Sequence, residues 1–205
     1  MKKLLTFLFS LFLLSSPSVF ADDISDFTIE GVSIGDSLLD YMTEDEILKE
    51  IERTKDHYSY LEEPNKYAEV YLSKKDFLTF KIVSFFIKNN ASNKYLVNKN
   101  EKYTILSIYG AIPYIEDIDG CIQKRDEIVE VVSNMFPNAQ KTESVSKHPL
   151  DPSGRSFSHS VYFILGSGAT VVAYCSNWEE NFRVQNNYSE GLNFGIKSQE
   201  IHNWL

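Results

Sequence analysis

The two cysteines of the chain, Cys121 and Cys175, are its only ones, and a bond between them would restrict the fold more than any other pair of residues. Cys121 opens a helix-like stretch from Asp119 to Phe136, and Cys175 lies near the end of a strand-like stretch from Ala169 to Ser176. An even cysteine count in an exported chain favours a disulfide. The local patterns agree. On a helical wheel Cys121 shares a stripe with Ile128, Val132 and Met135, flanked by Ile122, Val129 and Phe136. Cys175 shares a strand face with Val171 and Ala173, whose small side chains let a helix approach closely. Closing this loop is expected to stabilise the fold by roughly 4 kcal/mol on chain-entropy grounds. The functional alternative is a reactive thiol at Cys121, near a helix N-terminus. Neither a paired histidine nor a nearby second cysteine supports that chemistry.

The disulfide reading depends on export, and the N-terminus supplies the signal. Met1-Lys2-Lys3 is a short positive region, Leu4 to Leu14 is apolar apart from Thr6 and Ser10, and Val19-Phe20-Ala21 offers small residues at a cleavage site. Residues 1–21 therefore read as a secretory signal peptide, cleaved after Ala21. Its apolar core is too short to span a bilayer comfortably, and no later stretch is long or apolar enough. Residues 22–205 form the expected mature chain, the size of a single domain. A hydrophobic fraction of 43% marks it as globular rather than disordered. Losing Lys2 and Lys3 takes the net charge from −9 to −11. An acidic chain has no footprint for a phosphate backbone or an anionic bilayer, so nucleic acid is excluded as a partner class.

Along the chain, Ile24 to Glu30 reads as a first strand, and Gly31-Val32-Ser33-Ile34-Gly35 as a turn leading to an Asp36-capped helix from Ser37 to Tyr41. Thr43-Glu44-Asp45-Glu46 fits a capping box for a short helix ending by Lys55. Strands follow from Tyr67 to Leu72 and, after a turn at Lys74 to Asp76, from Phe77 to Lys88. The second is apolar on both faces and so reads as covered on both. Asn89 to Asn93 and Asn98 to Glu101 read as loop and turn, before a strand from Tyr103 to Tyr109. Asp119 is the expected cap of the main helix, and Pro137 its stop. Gln140 to Ser158 reads as a long surface loop. His159 to Leu165 and Ala169 to Ser176 form a hairpin around Gly166-Ser167-Gly168. Phe182 to Val184 and Leu192 to Ile196 add short strands, and Ser198-Gln199-Glu200 begins a last helical turn. This order predicts an α+β fold, a mostly antiparallel sheet with helices packed on one face and the disulfide joining helix to sheet.

Several constellations carry possible chemistry. Gly31 to Gly35 matches the G-x-S-x-G nucleophile elbow, with Ser33 as nucleophile, although the surrounding chain is too short to build the hydrolase sheet that the elbow serves. His57, His148, His159 and His202 form no metal-type pair, and no metal or cofactor is implied. His148 and Asp151 share the long loop with Ser153-Gly154-Arg155-Ser156, an imidazole, a carboxylate and a cation within one segment. Arg125 stands one turn after Cys121 on the apolar stripe, either snorkelling or lining a pocket between helix and sheet. Aromatics, at 14%, include Tyr58, Tyr60, Tyr109, Tyr114, Trp178 and Trp204. They fill the core or form a carbohydrate- or peptide-binding surface.

The stretch Ile29 to Tyr41, I-E-G-V-S-I-G-D-S-L-L-D-Y, followed by Tyr109 to Tyr114, Cys121, His148 to Gly154, Cys175 and Trp178, resembles a family of small exported bacterial proteins with no known function. The resemblance implies a periplasmic setting and no catalytic residue. The expectation is a periplasmic or secreted binding or interaction module, with a small ligand or an envelope protein as partner. Arg125, His148, Asp151 and Arg155 are its candidate ligand residues. The alternative is a periplasmic hydrolase using Ser33 or the His148/Asp151 loop; a structural role at the envelope, through an exposed sheet edge or aromatic patch, is a third.

Overall fold

The computed structural model describes residues 24, 27–56, 66–72, 77, 79–89 and 101–205. The expected signal peptide, the turns at 74–76 and 98–100, the loop at 90–93, and His57, Tyr58 and Tyr60 lie outside them.

A hairpin opens the described chain: β1 (Thr28–Ile29) turns into β2 (Val32–Ser33). Glu30 and Gly31 are both left-handed, at φ 53° and 79°, the geometry of a tight primed turn whose twist matches the strands. Glu30 is an unusual residue there. Its carboxylate holds the turn to the rest of the fold, accepting from the amides of Thr79 and Phe80 at 2.7 and 3.0 Å. Ser37, not Asp36, caps a short 3-10 turn at Leu38–Asp40. Helix α1 (Glu44–Thr54) begins at Thr43 with the expected capping box, side chain and backbone exchanged with Glu46.

The sheet contains β3 (Tyr67–Leu72), β4 (Ile82–Lys88), β5 (Ile105–Pro113), β6 (Gln140–Lys147), β7 (Phe157–Ile164), β8 (Thr170–Asn177) and β9 (Gly191–Lys197). Their order is β3-β4-β5-β9-β8-β7-β6, and every neighbouring pair is antiparallel. The longest helix among the described residues, α2 (Ile118–Met135), crosses from the middle of the sheet to its far edge, while α3 (Glu180–Asn186) returns the chain to the gap between β5 and β8. Cys121 and Cys175 are bonded, joining α2 to β8 with their Cα atoms 6.1 Å apart.

Alternation sorts the strand residues onto two faces. One face carries Val70, Val83, Phe85, Ile87, Ile108, Val161, Phe163, Val171, Ala173, Phe194 and Ile196, which pack with Ile47 of α1 and Val129, Val132 and Phe136 of the α2 region as one core. The other face is covered at one end by α4 (Gln199–Trp204), whose Ile201 and Trp204 pack on Tyr67, Phe86 and Leu106. Leu106 is the extra residue of a bulge, because Phe86 pairs with Ser107 and Ile87 with Ile105. The α+β architecture is thus as read from sequence, with one short helix on the opposite face from α1 and α2. Among the described residues, no helix is long and apolar enough to cross a membrane.

Several local expectations are corrected. The supposed loop at 140–158 contains β6; its side chains are exposed throughout, so no apolar alternation announces it. The expected strand Phe182 to Val184 is helical, because Glu179 accepts from Phe182 N as an N-cap and Asn187 stops the turn in the left-handed region. Asp117 rather than Asp119 caps α2, its carboxylate accepting from Gly120 N. The strand expected from Phe77 begins only at Ile82.

Candidate functional site

The elbow around Ser33 does not form. Its strand leads through a two-residue turn into a second strand, and Ser33 N donates to Asp36 Oδ2 at 2.9 Å, where Tyr41 OH also donates at 2.6 Å. Asp36 is thereby occupied in closing the hairpin, and Ser33 sits beside it without the strand-to-helix geometry a nucleophile elbow requires.

The His148–Arg155 segment is a tight connection between β6 and β7. Asp151 is 5% exposed, and its carboxylate accepts from Ser153 N and Oγ, Arg155 N, and Ser156 N and Oγ. Burial opposes its charge, but the hydrogen bonds from Ser156 and Ser153 prevail and hold the carboxyl well below the usual carboxylate range. Ser156 Oγ passes the connection on by accepting from Glu179 N at 2.9 Å. The His148 ring packs against Trp178 at 3.8 Å between centroids, tilted by 45°, and Trp178 stacks on Tyr188 at 4.6 Å and Phe182 at 5.9 Å. Burial pulls the His148 imidazole below its ordinary value, against the pull of Asp151. Arg155 pairs with Glu179 at 3.0 Å. The three residues share a loop, yet their polar groups are turned on the fold itself: this corner ties the β6–β7 connection to α3.

Arg125 is buried at 5% and pairs with Asp126 at 2.8 Å and Glu143 at 3.3 Å. Those two carboxylates line a groove of about 410 Å³ between α2 and β6–β7, with Val129 and Val161 as its floor and Glu130 and Lys141 at its rim. Arg125 is therefore neutralised beside the groove instead of lining it. Among the described residues, no group of three or more His, Cys, Asp or Glu side chains is placed to hold a metal ion.

A third region has no signature in the linear sequence. Opposite the main core, β5, β9, β8, β7 and β6 present a broad face on which register places mainly hydroxyl side chains. One row runs Tyr109–Gly195–Val172–Tyr162–Thr142 across the five strands, and the next runs Ser107–Lys197–Thr170–Ile164–Gln140. None of the residues these strands present there is Asp or Glu, in a chain with 29 of them. The Tyr109 ring lies over Gly195, so close that a Cβ at 195 would come within 2.3 Å of two ring carbons. Lys197 Nζ stands 5.9 Å from the centre of that ring, and among the described residues no carboxylate pairs with it. Burial pulls its ammonium below the ordinary lysine range. Beside it, the Ser107 hydroxyl is fully buried without a hydrogen-bond partner. Tyr162 and Ile164, each 43% exposed, reach solvent on β7, whereas Ser107, Val172, Thr170, Ser160 and Ser176 are buried.

The sequence assigns no site role to Tyr109, which stands there among the aromatics and at a strand end, and none to Lys197. The usable signal was the polar half of each alternation: Ser158, Ser160 and Tyr162 interleave with Val161 and Phe163, and Tyr174 and Ser176 with Ala173 and Cys175. Attention to the apolar half alone hides it. No family model, curated protein or solved structure matches this chain.

Proposed function

We propose that the chain is an exported, non-catalytic binding protein of the periplasm, and that its ligand lies on the face of β5-β9-β8-β7-β6 opposite α2. The observation that carries this reading is the composition of that face: tyrosine and hydroxyl side chains, no carboxylate, and no helix over its β8–β6 side among the described residues. Tyrosine supplies large contact area with a polar tip and is enriched where proteins meet ligands. The buried disulfide supports an oxidising compartment, as does the signal-like N-terminus.

The test is a panel of glycans and peptides screened against the purified protein alongside a Tyr162→Glu variant. Tyr162 is 43% exposed, so the substitution leaves the core intact. The expected outcome is a ligand bound by the native protein and lost with Tyr162→Glu. Binding that survives this variant, and an Ile164→Glu variant as well, would move the site elsewhere.

A further inference from the structure

We infer that the outer edge of β6 is an interaction surface for a second copy of this chain, joined strand to strand about a two-fold axis through Val145. β6 ends the sheet, and among the described residues no strand pairs with its outer side. All of its residues, Gln140–Lys147, are exposed, and its register with β7 runs without a bulge from Gln140–Ile164 to Lys147–Phe157. A long, flat, unpaired edge of this kind invites another strand. Which backbone groups are open follows from one bond: His148 N donates to Ser156 O at 2.8 Å. Bonded pairs on an antiparallel ladder recur at every second residue. Ser146, Ser144 and Thr142 therefore bond to β7, while the N–H and C=O groups of Lys141, Glu143, Val145 and Lys147 point outward. The side chains of those four share the α2 side of the sheet, because Lys141 is opposite Phe163 and Glu143 opposite Val161 of the main core.

The pattern on this edge complements itself. Val145, 61% exposed, stands midway between Glu143 and Lys147. An antiparallel pairing centred on Val145 sets that valine against its own counterpart and Glu143 of each copy against Lys147 of the other, in bonded pairs with Cα atoms about 5.5 Å apart. Opposite charges directly across a strand pair stabilise it, and like charges destabilise it. Glu143 already leans on Arg125 at 3.3 Å, yet its side chain is 58% exposed and open to a second cation. On the other side of the sheet Ser144 meets Ser146, both small enough for the closer approach of the non-bonded positions. Other registers lose this match. Centring on Ser144 puts Lys141 against Lys147, centring on Glu143 puts two carboxylates face to face, and centring on Thr142 leaves Val145 opposite Ala139, outside the strand. A lysine on an edge ordinarily wards off a neighbouring strand; Lys147 turns away every neighbour except one that brings a carboxylate to the same place. The inference is independent of what the hydroxyl-bearing face binds.

The experiment is sedimentation velocity on the purified protein from about 10 µM to about 1 mM, because one strand edge makes a small interface of the weak, transient class. Runs at low and at physiological salt accompany it. The expected result is a monomer–dimer equilibrium whose dimer share rises with concentration and falls as salt rises. Val145→Pro removes the central outward N–H but no bond to β7, and proline is tolerated on an edge strand. It is expected to abolish the dimer while the melting temperature stays near native. Glu143→Lys and Lys147→Glu, each alone, are expected to weaken self-association about tenfold or more, since like charges then meet at both ends of the pairing. Mixed in equal amounts, the two variants should recover the native dimer share by pairing with each other. Should Glu143→Lys fold poorly beside Arg125, Lys147→Glu and the salt series carry the charge test. A protein that is monomeric over the whole range would overturn the inference and leave the edge to a different chain. A dimer that persists in Val145→Pro would place the interface elsewhere, and one indifferent to both charge variants would overturn the register.

Discussion

Removing the disulfide offers the sharpest test of how the C-terminal half is held. Cys121 and Cys175 are 54 residues apart in sequence, and between them lie most of α2, the β6–β7 hairpin and the first part of β8. A crosslink across a loop of that length removes about 4 kcal/mol of conformational freedom from the unfolded chain. Both cysteines are buried, at 1% and 0% exposure, among Leu192 and the partly buried Ile112, Ile118 and Ile128. The double variant Cys121→Ala/Cys175→Ala also removes two buried sulfurs, which adds about 1 kcal/mol of lost packing. For a chain of this size each kcal/mol moves the melting temperature by roughly 2–4 °C, so the double variant should melt about 10–20 °C below the oxidised protein. Thermal unfolding followed by far-UV circular dichroism measures this directly. The native protein should also withstand reductant while folded, because neither sulfur is reachable. A double variant melting within about 2 °C of the oxidised protein would refute the argument. It would mean that the α2–β8 packing already restricts the unfolded chain, or that the bond strains the native one.

Other outcomes follow from single side chains. Asp151→Asn should lower the melting temperature at neutral pH and much less in acid: the folded carboxyl titrates below its unfolded value, so its stabilisation is present above about pH 4 and fades as pH falls through the folded pKa. Parallel melting curves for the two proteins from pH 3 to 7 would show the loop bonds to be dispensable. Arg125→Met keeps the buried stem, and the carboxylates it leaves behind are 58% exposed and can rehydrate; the expected loss is within about 1 kcal/mol in urea unfolding. Arg125→Ala should lose about 2 kcal/mol, since the packing of the stem goes too. Ser107→Ala removes a buried hydroxyl without a partner and should stabilise the protein by up to about 1 kcal/mol, where most core truncations destabilise. A fluorophosphonate probe should leave Ser33 unlabelled, as expected of a serine in a hairpin.

Much of the frame was legible because burial writes itself into sequence. The capping box at Thr43 and Glu46, the wheel of α2 and the hairpin at Gly166-Ser167-Gly168 each couple residue type to local geometry, and the structure shows all three. The failures have equally local causes. β6 is polar on both sides, so the period of two that marks a half-buried strand is missing. α3 begins at a glutamate and spans only Glu180–Asn186, too short for periodicity to speak against the aromatic and branched residues at 182–184. At Gly31 to Gly35 a five-residue pattern was compatible with two backbones, and the left-handed Glu30 decided between them. His148, Asp151 and Arg155 share one connection as expected, but proximity did not reveal that the His148 ring packs on Trp178, that Asp151 accepts from Ser156, and that Arg155 pairs with Glu179. The hydroxyl-bearing face was the least legible feature, because it exists only once five strands are put in register.

The two margins of the sheet are treated differently. Along β3, α1 closes the outer side: Thr54 Oγ1 donates to Glu69 O, and Glu50 accepts from Tyr71 N at 3.3 Å. Along β6, among the described residues, nothing pairs with the outer side, and Lys141 and Lys147 stand at its two ends as charged deterrents. Lateral growth of such a sheet is therefore self-limiting. Should two copies join through β6, each consumes its one open margin and presents only a sealed one, so the assembly halts at a pair and cannot propagate into a fibre.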